Sequence, residues 1–373
     1  MKSTLCRLLI AGVLAAACAV SRGQTTTAWN SLASSDWGTI GNWTNGLPST
    51  GPQLAIYRGT ATLQKSVNLG SPGRESVGMR FTLTAGGSGY TFSGIGGPQG
   101  FFVRAGGSAN GIINSDDNTQ TFNVPVKLLD NAGLAGPGAA MTWNAAAGAM
   151  VFNGNNTAPA APWTVNLNGA SALTIDGPFN VSIGTSGPGQ VVNTNVGTSS
   201  GFIKNGAGSL FLGGTAANTF TGTNFLNAGK ITAGKVDALG AGNALVMAGG
   251  TLEAGGFSQA LGNLDLNGNA TLDFGGGTVA VSFDNSAALN WGSFTCNIVN
   301  WTTNVDTLRF GTDATGLTPF QLQHITFVGS GLPYAAIDVN GFVTPIPEPH
   351  VAVVAATGLF LFAAGRRLNR RNG

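Results

Sequence analysis

The sequence predicts an all-β fold and, within that class, a right-handed parallel β-helix with β-rich caps. Glycine provides 59 of 373 residues and charged residues only 9%, which suits a chain that turns often between short strands better than a helical enzyme. The apolar fraction of 43% argues against disorder despite the high glycine content. A short strand pattern also recurs at a nearly constant interval, which is typical of a solenoid.

Residues 1–23 are expected to form a secretory signal peptide. A basic start precedes the apolar stretch Leu8–Ala19, which is too short for a stable membrane helix. Small residues allow cleavage either after Ala19 or near Gly23. Cys18 raises the alternative of a lipoprotein, although the alanines before it lack the usual bulky residue.

Residues 24–110 are expected to form an N-terminal β-rich cap and the first coils. Trp29, Trp37 and Trp43 lie among Ser, Gly, Asn and Pro, ahead of a predicted strand at Gln53–Tyr57. We expect these tryptophans to bury the open end of the first coil. The alternative is a surface whose aromatic faces stack on sugar rings.

Residues 111–282 are expected to form the β-helix itself. Leu210, Ile231, Leu252 and Leu272 are separated by 21, 21 and 20 residues. Each lies in a short unit that is closed by glycine and whose apolar residues are two apart, so that they point the same way. Fainter copies are expected at residues 150–152 and 173–175. The alternative is a chance similarity within a glycine-rich β-sandwich.

Residues 283–345 lose the tight repeat and are expected to form a C-terminal β cap. Residues 306–323 predict a strand, a turn and one short helical turn. Residues 338–343 predict a last hairpin with Asn340-Gly341 as its two-residue turn. The larger apolar residues that are expected to fill this cap are Trp291, Phe294, Ile298, Trp301, Leu308, Phe310, Phe327 and Val328.

Residues 346–373 combine a proline-rich motif, an apolar run and a basic end. The prolines keep the spacer extended. The run Val351–Ala364 has about 14 residues, fewer than the roughly 20 that span a bilayer comfortably, which favours a transient transmembrane helix. The arginines are expected to remain on the cytoplasmic side. The alternative is a plain membrane anchor. The motif is Pro347, Glu348 and Pro349, and the basic residues are Arg366, Arg367, Arg370 and Arg371.

This ordered set of three features resembles the PEP-CTERM sorting signal of Gram-negative bacteria. The resemblance covers Ile346 to about Arg371. It implies export by the secretion machinery, a transient inner-membrane anchor, and processing near Pro347-Glu348-Pro349 by an exosortase-type membrane peptidase. The implied destination is the cell surface or the extracellular matrix.

Residues 204–240 resemble the autotransporter-associated β-strand repeat. The resemblance implies a β-helical stalk on a bacterial surface. An autotransporter also needs a C-terminal barrel of many strands, and the roughly 60 residues between the repeats and the tail are too few for one. Self-translocation is therefore not expected. The matching residues are Lys204–Gly213, Asn218–Gly222, Asn227–Ile231 and Asp237–Gly240.

The terminal signals hide the charge of the exported body. The formal net charge is +2, but seven of the 17 basic residues lie in the two signals. Between Asp36 and Glu348 this leaves 10 basic residues against 15 acidic ones, or −5. A basic patch for nucleic acid is therefore not expected. Of three cysteines only Cys296 lies outside the signal peptide, so a disulfide framework is not expected either.

The motifs of the sequence predict no catalytic, cofactor or metal site. His324 is the one histidine of the body and lacks partners at zinc-ligand spacing. The sequence has no phosphate-binding loop and no calcium-binding nonapeptides.

One catalytic hypothesis concerns Glu253 and Asp273. If Leu252 stacks on Leu272, the two carboxylates project from adjacent coils about 4.8 Å apart, close to the roughly 5 Å of a retaining glycosidase pair. No Lys or Arg cluster is expected beside them. We therefore expect a solvated acidic edge that loosely holds a cation at most.

The sequence thus predicts an exported, non-enzymatic surface or matrix protein that associates with exopolysaccharide. The alternative is a polysaccharide-binding or polysaccharide-cleaving β-helix. Adhesion to another cell is not distinguished from the first hypothesis by any motif.

Overall fold

A computed structural model describes residues 25–48, 53–60, 62–70, 74–82, 87–94, 100–106, 109–129, 140–154, 163–168, 172–186, 189–195, 199–332 and 334–347. These residues form 31 strands, one α-helical turn, α1 (Pro319–Leu322), and one 3₁₀ turn, Ile40–Asn42. The expected all-β class is confirmed. The expected signal peptide and all of the tail after Pro347, including Glu348, Pro349 and the four arginines, lie outside the described residues.

The strands are short and follow one another closely along the chain. The first eleven are β1 Thr25–Ala28, β2 Gln53–Arg58, β3 Ser66–Asn68, β4 Glu75–Ser76, β5 Met79–Thr82, β6 Thr91–Ser93, β7 Phe101–Gly106, β8 Ala109–Ser115, β9 Gln120–Phe122, β10 Val126–Leu129 and β11 Met141–Ala145. The next ten are β12 Met150–Phe152, β13 Trp163–Asn166, β14 Ala172–Asp176, β15 Val181–Ile183, β16 Gln190–Val192, β17 Gly201–Lys204, β18 Ser209–Leu212, β19 Asn224–Leu226, β20 Lys230–Ala233 and β21 Leu245–Met247. The last ten are β22 Thr251–Glu253, β23 Gln259–Ala260, β24 Leu264–Leu266, β25 Ala270–Asp273, β26 Ala280–Phe283, β27 Cys296–Val299, β28 Thr307–Phe310, β29 Ile325–Phe327, β30 Tyr334–Ile337 and β31 Phe342–Ile346.

The strands assemble into three long sheets whose pairing is almost entirely parallel. Sheet 1 has 15 strands, in a long arm (β1-β2-β5-β8-β11-β14-β17-β19-β21-β24) and a short arm (β4-β7-β10-β13-β16) joined by the antiparallel ends of β7 and β8. Sheet 2 has 11 strands, in the order β3-β6-β9-β12-β15-β18-β20-β22-β25-β27-β29. Sheet 3 has the order β23-β26-β28-β31-β30. The chain visits the sheets in turn and returns beside its previous strand, which is consistent with a parallel β-helix.

The core is a set of in-register apolar columns. On the inner side of sheet 2, Leu210 pairs with Ile231, Ile231 with Leu252, and Leu252 with Leu272. All four are buried, as the 21-residue repeat predicts. The faint copy at 150–152 extends the same column, since Met150 pairs with Val181. The faint copy at 173–175 was assigned wrongly, because those residues belong to β14 in sheet 1.

The spacing of the columns explains why the repeat is visible only in part of the sequence. Upstream, the residues Gln120, Met150, Val181 and Leu210 follow each other at 29 to 31 residues. Each of those coils contributes three strands, whereas the 21-residue coils between β17 and β22 contribute only two. A longer coil has more loop residues between its strands, so its repeat is harder to see in the sequence than that of a short coil.

The N-terminal end is closed by aromatic residues. Trp29 and Trp37 are fully buried and Trp43 is 5% exposed. Trp43 contacts both others edge to face, with ring centroids 5.2 and 4.6 Å apart, and Trp37 packs on Phe101 at 5.4 Å. These buried rings cover the end of the apolar core, as expected of a cap. Their faces are not open to sugar rings.

Parallel pairing continues past residue 282, where the tight repeat ends. Sheet 2 adds β27 and β29 beyond β25, and Trp291 closes the edge of β24 because its indole Nε1 donates to the Leu264 carbonyl at 3.1 Å. The predicted strand and helical turn are confirmed as β28 and α1. Of the apolar residues expected to fill this region, Phe294 and Val328 are exposed, at 36% and 53%.

The last hairpin forms, but its turn differs from the predicted one. β30 and β31 pair antiparallel, and the Gly341 amide donates to the Asp338 carbonyl at 3.0 Å. A type I′ turn needs positive φ at both central residues. Among Asn340 and Gly341 only Gly341 has one, at 84°. The turn therefore spans Asp338–Gly341, and the Asp338 carboxylate accepts from the amides of Asn340 and Phe342.

Within the described part of the chain, no helix has the length and apolar character needed to cross a membrane.

Candidate functional site

The outer face of sheet 2 brings Glu253 and Asp273 side by side, as the sequence predicts. β22 and β25 pair in parallel with Glu253 opposite Asp273. The same outward column includes Phe211 and Thr232 on the preceding strands. Both acids are partly exposed, so the carboxylates lie at the protein surface.

Glu253 has a basic partner that the sequence analysis did not anticipate. Lys230 Nζ lies 2.6 Å from Glu253 Oε2, and Thr232 Oγ1 donates to the same oxygen at 2.8 Å. The hydrogen bond from Lys230 is the main cause that lowers the pKa of Glu253. Because Lys230 precedes Thr232 by two residues on a strand, both side chains point outward on the same face. Lys230 is a single basic neighbour and not a cluster of Lys or Arg, which the sequence did not lead us to expect.

Asp273 is held by different donors. Its Oδ1 accepts from the Gly275 amide at 2.9 Å and from Asn300 Nδ2 at 2.7 Å. A retaining glycosidase needs one carboxylic acid whose raised pKa keeps it protonated. The pKa of Glu253 shifts in the opposite direction, so Glu253 is suited to remain an ionised partner of Lys230. Glu253 and Asp273 thus each have fixed hydrogen-bond donors on the polar outer face of sheet 2.

The other chemically active residues named by the sequence have structural contacts. His324 Nδ1 lies 2.9 Å from the Phe320 carbonyl, one turn earlier, and its ring packs on Phe320. Cys296 is buried in β27, and burial raises the pKa of its thiol to about 12. The described residues contain no group of three or more His, Cys, Asp or Glu side chains placed to hold a metal ion.

Two lysines lie inside the coil, which sequence reasoning missed. Lys204 is 1% exposed and its register neighbours on either side are Ile175 and Leu226. Its ammonium group donates to the carbonyls of Asn205 and, at 2.8 Å, Gly206. Burial lowers the pKa of Lys204 to about 8. Period-2 alternation with the inward Phe202 was the signal that could have placed Lys204 inside.

Lys235 is buried at another corner, where it links neighbouring coils. Its Nζ donates to the Gly189 carbonyl at 2.9 Å, the Ala216 carbonyl at 2.8 Å and Asn218 Oδ1 at 2.8 Å. All three ammonium protons therefore have acceptors. Burial lowers the pKa of Lys235 to about 8 as well.

The third side of the short coils is held by buried amide side chains. Sheet 1 has its last short-arm strand at β16, and sheet 3 begins only at β23. Between them, Asn243 Nδ2 donates to the carbonyls of Phe220 and Leu239 while its Oδ1 accepts from the Gly222 amide. Asn224, Asn218 and Gln259 make similar bonds. On this side of the coil, amide side chains form the hydrogen bonds to backbone N–H and C=O groups that neighbouring strands form elsewhere in the sheets.

A groove of about 440 Å³ lies at the C-terminal end of the described chain. Its walls are Trp301, residues of the loop 303–308, Leu332, and Phe342–Pro345 of β31. The loop is fixed by Asp306, whose carboxylate accepts from the amides of Val279 at 3.0 Å and Thr302 at 2.7 Å. The groove therefore adjoins the point at which the chain leaves β31 toward Pro347.

Comparison of the chain with protein-family models, with curated proteins and with solved structures found no match.

Proposed function

We propose that this chain is an exported, non-enzymatic β-helix protein of the cell surface or extracellular matrix of a Gram-negative bacterium. The observation that carries the proposal is the ordered tail of Pro347-Glu348-Pro349, apolar run and arginines. An exosortase-type peptidase would process it after a transient stay in the inner membrane. A right-handed coil is proposed with it, because that handedness dominates parallel crossover connections.

The body is suited to a structural role in such a matrix. Its inner columns are mainly apolar, and its outer faces carry many polar side chains and little charge. Packing, backbone pairing and side-chain hydrogen bonds stabilise the described residues, whose one cysteine, Cys296, is free and buried. We propose that exopolysaccharide surrounds the protein and that the polar side chains of its outer faces contact the glycan.

The sorting proposal is tested by replacing Pro347, Glu348 and Pro349 together by Ala. Cell fractionation and mass spectrometry of the mature C-terminus in native cells would compare this variant with the wild type and with Thr344→Ala, an exposed site just upstream. We expect the motif variant alone to retain its tail and to stay with the inner membrane. Identical size and location for motif variant and wild type would contradict the proposal.

A polysaccharide-binding or polysaccharide-cleaving protein is the second candidate, favoured by the alignment of Glu253 with Asp273. Glycan arrays and reducing-sugar assays would compare the wild type with Glu253→Gln, Asp273→Asn and the exposed control Asp284→Asn. Turnover or binding lost only in the first two variants would favour this candidate. Equal behaviour of all four proteins on every glycan would eliminate the carboxylate pair.

A further inference from the structure

The C-terminal groove is mainly apolar and is formed in advance of any occupant. Leu308 and Val343 are buried at 1% and 0% exposure and form its floor. Trp301 is held in place by edge-to-face contacts with Phe274 and Phe327, each with ring centroids 5.0 Å apart. A groove of this size lies within the range that binds small ligands or a few apolar side chains.

The chain that follows the described residues begins at this groove. Pro345 lines it and Pro347 is exposed two residues later. The tail then supplies the apolar run Val351–Ala364, whose bulkiest part is Leu359–Phe362. Eleven residues lie between Pro347 and Leu359, and such a segment spans up to about 40 Å. This connection is long enough for Leu359–Phe362 to turn back and reach the groove.

The charges on the two sides are complementary. Residues 283–347 contain four aspartates and one arginine, a formal charge of −3, whereas residues 348–373 contain one glutamate and four arginines, or +3. Asp306 lines the groove, and Asp338 accepts from the amide of the groove residue Phe342 at 2.8 Å. Asp313 follows β28 outside the groove. Asp313 and Asp338 are exposed, and hydrogen bonds from Thr315 and Phe342, respectively, lower the pKa of each carboxyl. Both are therefore ionised at neutral pH and attract a basic segment.

We propose that the groove binds the chain's own apolar run Val351–Ala364 when that run is outside a membrane, with Leu359–Phe362 as the anchor. Apolar side chains that would otherwise face water become buried against Trp301 and Phe342. While it is bound there, the run cannot associate with other exposed apolar surfaces. Entry into a membrane then competes with release from the groove. This inference goes beyond sorting, because it concerns the tail in aqueous solution and needs no peptidase.

The test is amide hydrogen exchange of the full chain in detergent-free buffer. The double variant Phe360→Asp/Phe362→Asp is compared with the wild type and with Asn372→Asp, which adds a carboxylate outside the apolar run. We expect residues 303–308 and 342–346 to exchange about tenfold faster in the double variant alone, as when a bound ligand is lost. Residues 251–273 should not change. Equal exchange at the groove in all three proteins would overturn the proposal.

The reciprocal variants lie on the groove itself. Thr303→Lys with Thr344→Lys places two cations on its exposed rim, and Thr251→Lys with Thr271→Lys is the matched control on sheet 2. We expect exchange in residues 351–364 to accelerate only in the first pair. Acceleration in both pairs, or protection that increases with protein concentration, would assign the tail to another surface or another copy. These hydrogen-exchange results do not depend on a peptidase or a membrane, so they test the groove even if the sorting proposal fails.

Discussion

Lys204 and Lys235 are charged side chains at positions where the coil otherwise buries apolar ones. Each ammonium group reaches backbone carbonyls at a corner of the coil. Burial favours the neutral amine and lowers the pKa of both lysines from 10.5 to about 8. Because these pKa values differ between the folded and the unfolded chain, the two buried lysines make the stability of the coil depend on pH.

The free energy of unfolding should rise with pH above about 8, and less steeply in Lys204→Met. In the unfolded chain Lys204 keeps its proton up to about pH 10.5. In the folded chain the Lys204 ammonium loses its proton above about pH 8. Between these values the unfolded state binds more protons, so stability increases with pH. Below about pH 8 both states are protonated and the cost of burying the charge is complete. Urea unfolding between pH 7 and 9.5 measures the slope.

Lys230→Met is the matched control for Lys204→Met, because Lys230 is a partly exposed lysine on the outer face. Its variant should keep the slope of the wild type. At pH 7, Lys204→Met removes the cost of burying a charge but leaves the carbonyls of Asn205 and Gly206 without this donor. Its stability should therefore lie within about 3 kcal/mol of the wild type. A slope equal to that of the wild type would show that Lys204 is not the titrating group.

Individual elements differ in how their backbone is satisfied. Two sides of every short coil are strands in register, while the third side relies on Asn218, Asn224, Asn243 and Gln259. An amide side chain offers both a donor and an acceptor, so it can replace one rung of a ladder where the chain turns too tightly for a strand. These residues are consequently part of the coil's framework, although their polarity suggests a surface position.

Asn243→Ala should destabilise the protein strongly. It leaves the carbonyl of Phe220 and the amide of Gly222 without their partner, while the Leu239 carbonyl keeps its bond from Asn224. Each buried group left unpaired costs about 1–3 kcal/mol. Asn227→Ala is the control, because exposed Asn227 donates one bond to Asn205, and such surface changes stay within about 0.5 kcal/mol. Urea midpoints compare the two. Equal loss in both variants would refute a framework role for Asn243.

At the scale of the whole molecule, each coil contacts mainly the coils before and after it. Trp37 belongs to the cap at one end, where it contacts Trp43, Phe101 and Tyr57. Solenoids of this kind are stabilised by nearest-neighbour terms. Damage at one end should therefore remain local.

Trp37→Ala should loosen the first coils and leave the distant ones unchanged. Removing a buried Trp costs about 3–5 kcal/mol, and hydrogen exchange should accelerate in β2, β5 and β7. Exchange in β20, β22 and β25 should stay as in the wild type. Phe225→Ala, at a side chain 36% exposed on β19, controls for loss of an aromatic ring. Uniform acceleration along the chain would instead indicate one cooperative unit.

The sequence by itself determined the β class, the column from Leu210 to Leu272 and the alignment of Glu253 with Asp273. Alternating apolar residues and a regular interval are local properties, and stacking preserves them. The sequence also predicted the last hairpin, but not which residues form its turn. Several turns are compatible with the residues 338–341, and the pairing of β30 with β31 decides between them.

Only the tertiary structure decided which polar residues lie inside and which charges meet. Lys204 is buried because the register of β14, β17 and β19 places it between apolar neighbours, and Lys230 meets Glu253 because adjacent coils bring them together. The groove beside Pro345 likewise forms from residues about 40 positions apart. Such contacts join residues from different coils, and their distance in space is set by the packing of the coils rather than by spacing along the chain.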